Sequence, residues 1–177
     1  MTYATQEVME GHDHFRAAMV ALSYPGRRIP VEDASRTHRN RTGRQILRAL
    51  YDDETPVTTV AADGTTTGAT PEEARVLVVN GSTSHGVLSR IPRGTEEYPE
   101  RGATVIYLVA GLPDAAHLHL TGPGVDGDLE VRLPLALDDV MARNAACREK
   151  PTGVDLLLAG DGWVTGLPRT TSVQQVD

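Results

Sequence analysis

The longest apolar stretches of this chain are short. Val105–Ala110 is unbroken, and Val154–Ala159 is interrupted only by Asp155. Each has the length of a strand and falls far below the roughly eighteen residues that span a bilayer. The core must therefore be assembled from strands of this kind. Aromatic residues make up only 4% of the chain, so that core rests on Val, Leu, Ala and Ile. A length of 177 residues suits one domain and buries enough surface to dispense with disulfides.

The punctuation along the chain supports this reading. Val8, His12, Phe15, Met19 and Leu22 recur at helical spacing and predict a first helix, whose apolar face packs in the core or across a dimer, the core being the favoured reading. Pro25-Gly26 stops it. Ile46, Leu47 and Leu50 predict a second short helix, closed before Pro56. Val57–Val60 and Val76–Val79 read as strands, with a Thr- and Gly-rich loop over 61–70 and a single turn over 71–74 between them. A weak helix is predicted over 84–91, a Pro/Gly loop over 94–102 and the strongest strand over 103–109. Leu118 and Leu120 alternate with His117 and His119 in a half-buried strand that leads into the turn Thr121-Gly122-Pro123-Gly124. Residues 138–147 fit a helix, with Asp138 and Asp139 at its positive end. Val154–Ala159, Gly160-Asp161-Gly162 and Trp163–Leu167 predict a hairpin. Residues from Ser172 onward read as a polar tail. The whole is one α/β domain over 1–177, with a mixed sheet flanked by helices, because a hairpin sits beside strand–helix units.

Composition excludes several functions. Cys147 is the single cysteine, so neither a disulfide framework nor a thiolate metal cluster can form within the chain. The net charge of −7 opposes general nucleic-acid binding. The start carries Glu7 and Glu10 with no basic residue before Arg16, unlike a secretory signal. A soluble cytoplasmic protein with no membrane contact is expected. The basic residues are sixteen arginines and one lysine, Lys150, so Schiff-base chemistry has a single candidate. Residues 27–48 hold seven of the arginines against Glu32 and Asp33. Such a segment could bind a polyanion or lie solvated or under a partner, and it lacks the interleaved aromatics of a single-strand nucleic-acid platform.

Among single motifs, His117 and His119 share one strand face and could reach a metal, but no third ligand is visible, and exposed histidines are the favoured reading. His12 and His14 point to different helix faces. Cys147 lies near Arg143 and Arg148, which would lower its pKa, yet a small apolar helix residue is the plainer reading. Arg169-Thr170-Thr171 offers a guanidinium fork beside two hydroxyls. Its partner is either an internal acid, Asp155 being the best placed, or an external anion.

Five segments occur together in order: Phe15-Arg16 through Met19, Leu22-Ser23, Pro25 and Gly26; Asp52-Asp53-Glu54-Thr55-Pro56-Val57; Gly94-Thr95 with Pro99-Glu100 and Gly102-Ala103-Thr104; Leu120-Thr121-Gly122-Pro123-Gly124-Val125; and Gly153-Val154-Asp155 with Leu167-Pro168-Arg169-Thr170-Thr171. In this the sequence resembles the PhnH subunit family of the bacterial carbon–phosphorus lyase system. The resemblance implies a role in organic phosphonate catabolism. It implies a homodimer and a core complex with PhnG, PhnI and PhnJ subunits, which displaces adenine from ATP to give a ribose 1-methylphosphonate 5-triphosphate. It further implies a reduced form of the pyridoxal-phosphate-dependent transferase fold, without the cofactor. As a subunit the chain needs no catalytic residue of its own, no cofactor or metal is expected, and a single cysteine cannot hold a three-cysteine radical cluster. The rival reading is a stand-alone transferase or hydrolase using Cys147 or the pair His117 and His119.

Overall fold

In the computed structural model, residues 3–32 and 40–176 are described. Helix α1 spans Tyr3–Ser23, β1 Ile29–Pro30, α2 Arg41–Leu50, β2 Val57–Val60, β3 Thr66–Gly68, β4 Val76–Asn80, β5 Thr104–Leu108, β6 Ala116–Thr121, β7 Asp128–Leu133, α3 Leu137–Ala146, β8 Asp155–Gly160, β9 Trp163–Leu167 and β10 Ser172–Gln175. The β-branched and leucine-rich runs form the middle of a seven-stranded sheet in the order β1-β9-β8-β5-β4-β2-β3. Strands β2, β4, β5 and β8 are parallel, while β9 turns back antiparallel through the predicted hairpin. The sheet is therefore mixed, as expected.

Two apolar layers cover this sheet. Val76, Val78, Ile106, Leu108 and Leu157 face α1 and α2, and meet Ala17, Ala18, Ala21 and Ile46. Leu77, Val79, Val105, Tyr107, Leu156 and Leu158 face the other way. There they meet α3 and a second antiparallel sheet of order β10-β6-β7, through Leu118, Leu120, Leu133 and Val173. Successive residues of one strand point to opposite faces, so a strand covered on both sides must be apolar throughout. No described helix is long and apolar enough to cross a membrane.

Four expectations need correction. The first helix does not bury the face that carries Phe15 and Met19; these are 44% and 36% exposed. It buries Ala17, Ala18 and Ala21 instead, because small residues let its backbone sit directly on β9. A Cβ on Gly166 of β9 would lie 2.6 Å from the Ala21 carbonyl oxygen. Val8 has no described side chain. The polar tail begins as a strand: β10 pairs with β6 from Ser172 to Gln175. The loop over 61–70 contains β3, which pairs with β2 and forms the exposed sheet edge. The helix predicted over 84–91 is a single 3-10 turn at Val87–Arg90, with Val87 and Leu88 inserted in the core.

Candidate functional site

Asp155 opens β8 and Arg169 follows β9, so the hairpin returns one to the other at the amino end of the parallel strands. The Arg169 Nε and Nη2 atoms donate to Asp155 Oδ2 at 3.0 and 2.6 Å, and the Arg169 backbone N–H donates to Oδ1 at 2.7 Å. Nη1 donates to the carbonyl of Pro99. The two side chains are only 18% and 21% exposed. Such a fork joined to one carboxylate is geometrically selective.

Side chains from α3 and the loop after it hold the rest of the 168–173 segment by its backbone. Arg143 Nη2 donates to the Pro168 carbonyl at 2.5 Å, Lys150 Nζ to that of Thr170 at 3.0 Å, and Asn144 Nδ2 to that of Val173 at 2.8 Å. Thr170 is exposed; Thr171 is buried, its N–H donating to the Pro168 carbonyl. Arg143 is 2% exposed. Burial lowers its guanidinium pKa, and the nearby Cys147 and Asp155 oppose that effect. Arg143 and Asn144 were not legible as site residues, since a polar pair near a helix end ordinarily faces water. The structure thus places Arg169 against the internal acid, with its guanidinium nitrogens engaged by Asp155 and the Pro99 carbonyl.

The other candidates are placed as follows. Cys147 follows directly on α3, buried, with its thiol directed at the Val154 carbonyl 3.5 Å away. His117 and His119 do share the outer face of β6. Each meets a carboxylate of β7: His117 Nε2 is 3.2 Å from Glu130 Oε2 and His119 Nε2 is 3.6 Å from Asp128 Oδ2. No group of three or more metal-capable side chains occurs among the described residues. Strand β7 was missed, although Leu129, Val131 and Leu133 alternate with Asp128, Glu130 and Arg132 in the period of a strand. A buried group was missed as well. Asp139 accepts from the Ser84 N–H and hydroxyl, both at 2.6 Å, and from the Tyr107 hydroxyl at 2.8 Å. Burial first, then the Asp139 carboxylate, pushes the Tyr107 pKa well above its usual value.

The turns Pro25-Gly26 and Thr121–Gly124, distant in sequence, pack on each other. A Cβ on Gly124 would lie 2.9 Å from Pro25 Cδ, and one on Gly26 would lie 2.5 Å from Leu120 Cδ1. Of the basic segment, Arg28 stacks on Trp163 and pairs with Asp114 at 2.5 Å, while Arg44 and Arg48 are exposed. Arg36 and Arg39 lie outside the described residues.

Comparison with known proteins covers almost the same span as these motifs. A family model described as bacterial phosphonate metabolism protein (PhnH) matches residues 3–174. A Stutzerimonas stutzeri protein, provisionally named C-P lyase subunit protein HtxG, is 31% identical over 170 residues, which is 90% of this chain and 83% of that one. A Rhizobium meliloti (strain 1021) protein, named alpha-D-ribose 1-methylphosphonate 5-triphosphate synthase subunit PhnH, is 27% identical over 186 residues, 95% of this chain and 92% of that one.

Proposed function

Because the chain belongs to the PhnH family of bacterial phosphonate metabolism proteins, we propose that it serves as a subunit of a C-P lyase complex. In this role it supports transfer of an alkylphosphonate to the ribose C1 of ATP, with release of adenine. The observation that carries a supporting role is the state of Arg169 and Asp155: their polar atoms are engaged with each other and with the Pro99 carbonyl. A fork so engaged holds chain segments together and is not itself open to a phosphate or phosphonate. The stand-alone alternative lacks footing in the same way, because Cys147 is buried against Val154 and the two histidines are matched to carboxylates. The partners in this reading are PhnG-, PhnI- and PhnJ-type subunits, and the isolated chain is a homodimer. The C–P bond itself is broken elsewhere, since one cysteine cannot ligate a radical iron–sulfur cluster.

Reconstitution tests the reading. The complete set of subunits should release adenine from ATP in the presence of methylphosphonate, and omission of this chain should abolish release. Turnover by the purified chain alone, or full activity without it, would overturn the proposal.

A further inference from the structure

The edges of the two sheets are not treated alike. The outer strands of the large sheet are stubs: β1 has two residues, one of them Pro30, and β3 has three. In the small sheet, β10 is covered from α3, where Asn144 Nδ2 donates to the Val173 carbonyl at 2.8 Å. Strand β7 runs six residues and, among the described residues, has β6 as its only neighbour in the sheet. It holds no proline and no lysine, the residues that commonly blunt an edge. The register fixes which of its backbone groups are free. The Val176 N–H donates to the His117 carbonyl, so His117 and His119 turn their backbone groups to β10, and Leu118 and Leu120 turn theirs to β7. Their partners Val131 and Leu129 are thereby engaged, and Glu130 and Arg132 direct their N–H and C=O groups out of the sheet.

We infer that this edge is the seam of the homodimer, a second copy of β7 adding antiparallel across a two-fold axis at Val131. The inference rests on the homodimer reading and names its interface. A two-fold contact must be self-complementary, and β7 meets that demand in one register. An axis at Val131 sets Glu130 against the partner's Arg132, and Arg132 against the partner's Glu130, on the exposed face. These are the residues with free backbone groups, so each pair exchanges two N–H···O bonds. On the inner face the half-buried Val131 meets its own copy, and Leu129 meets the partner's Leu133. An axis at Glu130 opposes two glutamates, one at Arg132 opposes two arginines, and one at Leu129 sets Asp128 against the partner's Glu130. Like charges directly opposite destabilise a sheet. An axis between two residues would set apolar side chains against charged ones. Pro134, which has no N–H, ends the ladder just past the charged pair.

Sedimentation of the purified chain at micromolar concentration tests the inference. The wild-type chain should dimerise. Glu130→Arg and Arg132→Glu each set like charges against each other twice, and each should raise the dimer Kd by roughly tenfold or more. The double variant restores opposite charges with their signs exchanged, and its Kd should return to the wild-type value. Arg90→Glu, the same charge change on another surface, should have no effect. Each of these changes an exposed side chain, so circular dichroism should match wild type. Wild-type Kd in both single variants, or no recovery in the double variant, would overturn the inference and leave a homodimer formed through another surface. A wild-type chain that stays monomeric would remove the inference and the homodimer together, with the role in a C-P lyase complex still decided by adenine release from the reconstituted subunits.

Discussion

The backbone carbonyl of Ser23 occupies the place where a side chain on Gly124 would begin. Ser23 ends α1, and Gly124 sits in the turn after β6, so one glycine sets how closely the first helix approaches the small sheet. Gly124 has φ +82°, a conformation costly for any other residue. Gly124→Ala therefore meets both strain and a collision, and a loss of roughly 3 kcal/mol is expected. For a chain of this length that lowers Tm by about 6–12 °C. Gly127, at φ +73° with nothing within 4 Å, isolates the strain alone. Gly127→Ala should cost only about 1 kcal/mol. Equal losses in the two variants, by thermal melting, would refute the collision.

The pair of Arg169 and Asp155 should act as a unit. Removing one partner strands the other in a mostly buried setting; allowing for its residual exposure, roughly 2–4 kcal/mol is expected for Arg169→Ala. Asp155→Ala should cost a similar amount, because it releases the Arg169 N–H as well as the guanidinium. The double variant should be far less destabilised than the sum of the two singles. Additive losses in a denaturant-unfolding cycle would show that the pair contributes little. Reconstituted ribosyl transfer should fall in proportion to folded protein; a loss of activity without loss of stability would instead reassign Arg169 to an anion site.

Tyr107 gives an alkaline signature. Its folded pKa is raised by burial and by Asp139, so the unfolded chain sheds this proton more readily than the folded one. The associated stability is complete below pH 10, the ordinary tyrosine value, and is lost as pH rises above it. Ultraviolet titration should show one tyrosine that ionises only on unfolding. In Tyr107→Phe that late step should vanish, and about 1–2 kcal/mol of stability should go with it, since an oxygen of buried Asp139 loses a donor.

Exposed Asp63 gives an acid signature. The Thr65 backbone N–H, donating at 2.9 Å, leads the contacts that hold its carboxyl below the usual value. Its contribution is present above pH 3.8 and is lost as pH falls below it. Asp63→Asn keeps an acceptor for that N–H, so stability at neutral pH should barely change while the slope below pH 4 becomes shallower. An unchanged acid limb in pH-dependent melting would refute this.

Pyridoxal phosphate should not form an aldimine with this chain. Lys150, the one lysine, directs its ammonium to the Thr170 carbonyl at the protein surface, whereas an aldimine lysine is desolvated. Incubation with the cofactor should give no internal-aldimine absorption; a borohydride-fixed adduct at Lys150 would refute the prediction.

What the sequence determined by itself is the set of strands and turns built from local contrast. The runs at Val76, Val105 and Val154 and the glycines of the 160–162 turn read the same in the sequence and in the fold, because apolar β-branched segments between turn residues have few other options. The proximity of Asp155 and Arg169 was legible for the same reason, since a hairpin carries its own register. Tertiary structure decided what depends on a neighbour. The buried face of α1 was settled by the close approach to Gly166, which favours Ala17, Ala18 and Ala21 over the larger Phe15 and Met19. Residues 172–175 became β10 only because β6 offers an edge for their backbone groups, and their polar side chains carry no sign of it. The burial of Arg143 and Asp139 was decided by partners far along the chain, Pro168 for one and Ser84 and Tyr107 for the other. Charged residues enter a core only where such partners converge, and that convergence is a property of the folded chain alone.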